Sequence, residues 1–191
     1  MKKIYAILLC ALFAVAAQAQ IVSSHSSRIT YTETKTEKEP IFFIDLGLGF
    51  YTGDVEDTGM AVDLGFRWTK MFTPYFGWDI FKASAQSDVS NFSELLNFQG
   101  KTGVRGVTPV LFGEKGTIFG NVGLGYGYYY DPEEGGFAWE IGGGVNFNSR
   151  CALSIVYNGG GFSDEIGYYN GRKIKEDFSV GVVSLRFSVG F

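Results

Sequence analysis

Eight charged residues stand out from a hydrophobic background: Asp45, Asp63, Asp79 and Glu140, and Arg67, Lys101, Arg105 and Arg186. Six of them (Asp45, Asp63, Arg67, Asp79, Glu140 and Arg186) are each flanked on both sides by bulky apolar residues. Two kinds of chemistry fit such a set. A close pair of carboxylates can relay a proton. Carboxylates facing arginines and lysines form an ion-pair network, and pairing is needed because a lone desolvated charge costs several kcal/mol. Four acids against four bases favour the network, which perturbs carboxylates without any catalysis. The spacing predicts Asp45 near Arg67 and Arg186, and Asp79 near Arg105.

Other reactive residue types are scarce. The chain has one histidine, His25, in a polar N-terminal stretch. A Ser/His arrangement therefore cannot be assembled from residues beyond 40. Of the two cysteines, Cys10 lies in an apolar leader, which leaves Cys151 and no internal disulfide. Cys151 shares its parity with Leu153, Ile155 and Tyr157 and reads as a small apolar residue. The run Gly142-Gly143-Gly144 precedes no helix and is not a phosphate loop. No residues are spaced to ligate a metal. The expectation is no catalytic site, no cofactor and no metal.

The elements that carry the charges are alternating runs. Near the C-terminus Val183, Leu185, Phe187, Val189 and Phe191 share one face, and Ser184, Arg186, Ser188 and Gly190 the other. That is the period of a strand. Similar runs cover 41–52, 60–69, 75–86, 99–112, 117–130, 138–147, 151–160 and 179–191. Pro109, which cannot donate to a ladder, weakens the fourth. Tight turns at 70–74, 113–116 and 148–150 alternate with longer loops at 53–59, 87–98, 131–137 and 161–178. Eight runs of about ten residues suit strands tilted ~45° across a hydrocarbon layer. The predicted fold is an all-β, eight-stranded antiparallel up-and-down transmembrane β-barrel. Its lumen is just wide enough to be filled by the eight charged side chains.

Outward aromatics test this reading. Phe42, Trp68, Phe76, Trp78, Phe112, Phe147, Phe187 and Phe191 fall toward the end that bears the termini. Phe50, Tyr126, Tyr128, Tyr130, Trp139 and Tyr157 fall toward the other end. Two such girdles belong to a barrel in a bilayer. Lys82 shares the outward parity of its run and is expected to snorkel to lipid phosphates.

Residues 1–19 read as a signal peptide: Lys2 and Lys3, an apolar run, then Ala17-Gln18-Ala19, with cleavage near Ala19/Gln20. Residues 20–40 are polar and read as a flexible leader; 41–191 form the barrel domain. The formal net charge of −4 argues against a nucleic-acid partner.

The signal peptide, the eight runs and the terminal L-R-F-S-V-G-F together resemble the small outer-membrane barrels of the OmpA/OmpX type. The resemblance implies a bacterial outer-membrane location, contact with outer-membrane lipid and insertion by the barrel-assembly machinery. It makes Phe187 and Phe191 the C-terminal assembly signal. Family members that act on lipid A depend on a membrane-surface histidine, which no residue beyond 40 supplies.

One loop adds a candidate binding element. Tyr168, Tyr169, Asn170, Gly171 and Arg172 place an Asn-Gly turn between strand-like runs, a strong hairpin signal. It predicts a protruding hairpin that binds an extracellular protein by strand addition, as the OmpX-type resemblance implies. In the loop at 87–98, Phe92, Leu95, Leu96 and Phe98 read as a short capping helix, with a sticky contact patch as the alternative. The expected chain is a monomer, not an enzyme, with an envelope-structural or adhesion-like, surface-binding role. The alternatives are a small porin-like channel and a secreted lipocalin-like barrel.

Overall fold

Alternation of large apolar residues with small or polar ones leaves a strand one greasy face and one wet face, and eight such strands can close on themselves. The computed structural model describes residues 40–54, 59–73, 75–88, 96–111, 116–130, 133–169 and 172–191. The strands are β1 (Phe42–Gly53), β2 (Met60–Thr73), β3 (Phe76–Asp88), β4 (Asn97–Val107), β5 (Thr117–Tyr129), β6 (Glu134–Asn146), β7 (Cys151–Tyr169) and β8 (Arg172–Gly190). Each pairs antiparallel with its neighbour, and β8 returns to β1 to close the barrel. The seam runs from Phe43↔Gly190 to Gly53↔Val180. Closure leaves no open sheet edge around the wall, which a structure surrounded by lipid requires.

The outer wall is apolar. Leu48, Phe50, Leu124, Tyr126, Ile155 and Leu185 each expose more than half of their surface. Rings meet near the termini: Phe42 lies 5.0 Å from Trp68 and 6.4 Å from Phe191, and Trp68 lies 5.4 Å from Phe81. At the opposite end Trp139 meets Tyr157 at 5.1 Å. Several of these rings lie over a glycine of the adjoining backbone. A side chain at Gly159 would collide with the Trp139 indole, and one at Gly135 with the Tyr126 ring.

Four local features differ from the sequence expectation. β2 continues through Thr73, which pairs with Phe76, so residues 70–73 belong to the strand and not to a turn. β4 stops at Val107, two residues before Pro109. Thr108 and Leu111 then continue the connection through backbone hydrogen bonds to Ile118 and Gly116. Residues 134–137, expected in a loop, belong to β6, where Glu134 pairs with Tyr129. The glycines there make room for the Tyr126 ring and for the carbonyl of Gly161. The fourth difference is a bulge. Phe81 pairs with Trp68 but Asp79 with Thr69, so Ile80 is an extra residue on β3. The β3–β4 register slips at the same place. Ile80 and Phe81 consequently both face outward, 50% and 48% exposed. Beyond them the parity of β3 is inverted.

Lys82 follows the inverted parity. It points into the lumen and is buried, not snorkelling at the outer face. The signal peptide, residues 20–39 of the leader with His25, Phe92, Leu95, Phe112, Asn170 and Gly171 lie outside the described residues.

Candidate functional site: the charged lumen

Inward positions of a narrow barrel lie close enough to fill the space between strands, so their charges must be paired. All eight sequence-predicted residues are buried in the lumen: Asp45, Asp63, Arg67, Asp79, Lys101, Arg105, Glu140 and Arg186. Lys82 makes a ninth. Sequence parity missed it because one bulge residue reverses the face. The consecutive apolar pair Ile80-Phe81, followed by Lys82, Ser84 and Gln86 at every second position, was the available signal.

Glu140, on β6, is the hub. Its carboxylate accepts hydrogen bonds from Lys82 Nζ at 2.5 Å, Asn121 Nδ2 at 2.6 Å and Arg186 Nη1 at 3.2 Å. Lys101 Nζ lies 3.4 Å away. Lys82 and Lys101 are direct cross-strand partners, a repulsive arrangement by itself. Glu140 offsets that repulsion by drawing both ammonium groups to one carboxylate.

Arg186 differs from its expected pairing. Its guanidinium donates to Asp63 and to Glu140 rather than to Asp45. The register explains why. Gly47 of β1 pairs with Asp63 on one side and Arg186 on the other. With no side chain at Gly47, Arg186 reaches across β1 to Asp63. A Cβ at Gly47 would sit 3.3 Å from the Asp63 Cβ.

Nearer the termini, Arg67 donates to both oxygens of Asp45 at 3.4 Å and to Thr69 Oγ1 at 3.1 Å. Thr69 in turn donates to Asp79 at 2.6 Å. Arg105 reaches Asp79 only at 3.9 Å. Both of these arginines lie on aromatic faces, Arg67 at 4.3 Å from the Phe43 ring and Arg105 at 4.7 Å from Phe119. Such stacking favours arginine over lysine at these positions.

Toward the hairpin end the charges give way to neutral polar groups. Lys101 donates to Gln99 at 2.8 Å and to Asn158 at 2.5 Å, and Gln99 donates to Asn97 at 3.0 Å. Beyond them lies an apolar layer of Tyr51, Ala61, Tyr129, Val180 and Val182, with Phe162 packed against it. The lumen is thus layered: arginine on aromatic rings, ion pairs, amides, then an apolar closure. Two cavities between these layers each have a volume of about 10 Å³, room for a single water.

The remaining sequence-predicted residues lie elsewhere. Tyr168 pairs with Lys173 and Tyr169 with Arg172 at the far end of the β7–β8 ladder. Phe187 faces outward on β8, and Phe191 follows β8 with its backbone N–H bonded to Phe42. Among the described residues, no group of His, Cys, Asp and Glu could hold a metal ion.

No family model and no curated protein sequence matches the chain. Solved structures do. The crystal structure of the outer membrane enzyme PagL aligns with a TM-score of 0.55 at 13% identity, covering 78% of this chain and 99% of that one. The fold is that of a small outer-membrane β-barrel. Weaker likenesses, both with a TM-score of 0.42, are Neisserial surface protein A (9% identity; 78% and 97% covered) and outer membrane protein AlkL (10%; 86% and 97%). The PagL likeness corrects one expectation. The lack of a histidine beyond residue 40 pointed to a chain that is not an enzyme, yet the structure it overlays with a TM-score of 0.55 is an enzyme's. The barrel fold therefore points away from that claim.

Proposed function

We propose that this chain is an integral outer-membrane protein with an envelope-structural and surface-binding role. Its barrel is a closed stem, and its β7–β8 hairpin offers a strand edge to another protein. The supporting observation is strand length. β7 and β8 span 19 residues each, while the other strands span 11 to 14. β8 pairs with β1 only up to Val180, and β7 with β6 only up to Gly160. Beyond Phe162 and Ser179, which still contact the barrel, residues 163–169 and 172–178 project as a two-stranded ribbon, paired with each other. Among the described residues, no further strand is laddered onto its edges. Free backbone N–H and C=O groups along such an edge are a template for strand addition.

In this reading the termini lie on the periplasmic side and the hairpin outside. Residues 1–19 are the export signal, 20–40 the leader and 41–191 the barrel domain, which works as a monomer of the OmpX type. Phe187 and Phe191 form the assembly signal. The lumenal network is a structural core, and its layering disfavours a porin-like channel.

The test replaces residues 162–178 with a short Gly-Ser turn. The shortened protein should keep the slowed gel migration on heating that marks a folded barrel. It should also lose surface binding to envelope or host proteins that the full chain captures. Retained capture by the shortened barrel would refute the hairpin's role. Stable conductance steps in planar bilayers would refute the closed stem.

A further inference from the structure

The buried charges of the lumen do not cancel. Among the described residues, the four carboxylates of Asp45, Asp63, Asp79 and Glu140 face five cations: Arg67, Lys82, Lys101, Arg105 and Arg186. The surplus has a location. One of the 10 Å³ cavities is lined by Arg67, Lys82, Arg105 and Arg186, and Asp45 is the one carboxylate among its lining residues. Asn121 and Ser188 line it as well. Arg67, Lys82 and Arg186 each have a carboxylate oxygen within 3.4 Å. Arg105 does not. Its nearest carboxylate oxygen is 3.9 Å away, and its buried Nε has no hydrogen-bond partner. The residue is only 8% exposed.

We propose that this cavity is a binding site for one small monovalent anion of halide size, held by Arg105. An uncompensated buried charge costs several kcal/mol, which an anion beside the guanidinium would offset. The same anion would accept the orphaned Nε–H, with the second amide N–H of Asn121 as a neutral donor nearby. Size limits the ligand. A space that admits one water has no room for phosphate or a carboxylic acid.

The full chain, refolded in detergent, is melted in sodium chloride, sodium bromide and sodium gluconate at equal ionic strength. The midpoint should rise with either halide and then saturate, by about 3–5 °C at ten times the dissociation constant. Gluconate, too large for the cavity, should give no rise. Equal midpoints in all three salts overturn the proposal. Arg105→Gln should lose the halide response while melting in gluconate no earlier than the wild type, because it restores four charges against four. An arginine with a purely structural role would instead lower the gluconate midpoint. Should that variant fail to fold, wild-type crystals soaked in bromide decide the matter. An anomalous peak within hydrogen-bond distance of Arg105 supports the site, and its absence there refutes it.

Discussion

Glu140 is the residue on which most of the lumen depends. Lys82, Lys101, Asn121 and Arg186 all converge on its two oxygens. Removing one partner from a buried ion pair typically costs about 3–5 kcal/mol, because the other charge stays buried and unmatched. Glu140→Gln should therefore lower the unfolding free energy of the refolded barrel, read from urea melts, by an amount in that range. Adding Lys82→Met should recover part of the loss, and a double-mutant cycle would read the coupling. Asp54 gives a pH-dependent counterpart at the rim. Its carboxylate accepts from the Ser179 N–H at 2.6 Å and from the Ser179 hydroxyl at 2.8 Å. The Ser179 N–H and hydroxyl hold it below the ordinary value of 3.8. A depressed carboxylate stabilises the fold above its unfolded value and loses that contribution as the pH falls through its folded one. The protection factor of the Ser179 amide, the exchange rate of the unfolded chain divided by its own at the same pH, should thus fall as the pH drops below about 4. In Asp54→Asn that acid-induced step should vanish.

At the scale of the strand, glycine decides which long side chains can meet. Gly47 lets Arg186 pass over β1 to Asp63. Gly47→Val should force that guanidinium aside and destabilise the barrel by about 1–3 kcal/mol, the usual cost of overpacking. On the outer wall Gly159 carries the Trp139 indole. Gly159→Val should displace the ring and shift tryptophan emission, with the change absent in a Trp139→Phe background. The strand-level pattern also shows what a reader of the sequence can and cannot recover. Asp45, Asp63, Arg67 and Glu140 were legible as inward because a period of two assigns faces without knowledge of neighbours. Which acid meets which base was not, because that depends on inter-strand register. Arg186 shows this: in sequence nothing sets Asp63 apart from Asp45. The edges of the strands were equally hidden. Glycines 135 and 136 look like a loop until Tyr126 is laid across one of them.

For the whole molecule, the apolar wall and the polar centre invert the arrangement of a soluble ligand-binding barrel. Leu46, Leu48, Leu185 and Phe187 face outward, while Arg67, Glu140 and Arg186 are nearly sealed from solvent. This inversion was the most readable property of the chain, since each strand repeats it independently. The protein should stay with membranes after high-salt washing and enter solution only with detergent. Recovery in the aqueous periplasmic fraction would contradict that.

The extra residue at Ile80 means that β3 is written in two phases. Up to Asp79 the odd-numbered positions face the lumen; from Lys82 onward the even-numbered ones do. The chain thus contains a frame change in its side chains with no change of strand. Deleting Ile80 would act like a frameshift, turning Lys82, Ser84 and Gln86 toward lipid at one stroke. A lysine near the bilayer midplane costs about 2–4 kcal/mol, before Glu140 loses its closest partner. The deletion should abolish the heat-dependent gel shift, whereas Ile80→Val should preserve it. One codon would then separate a barrel that closes from one that does not.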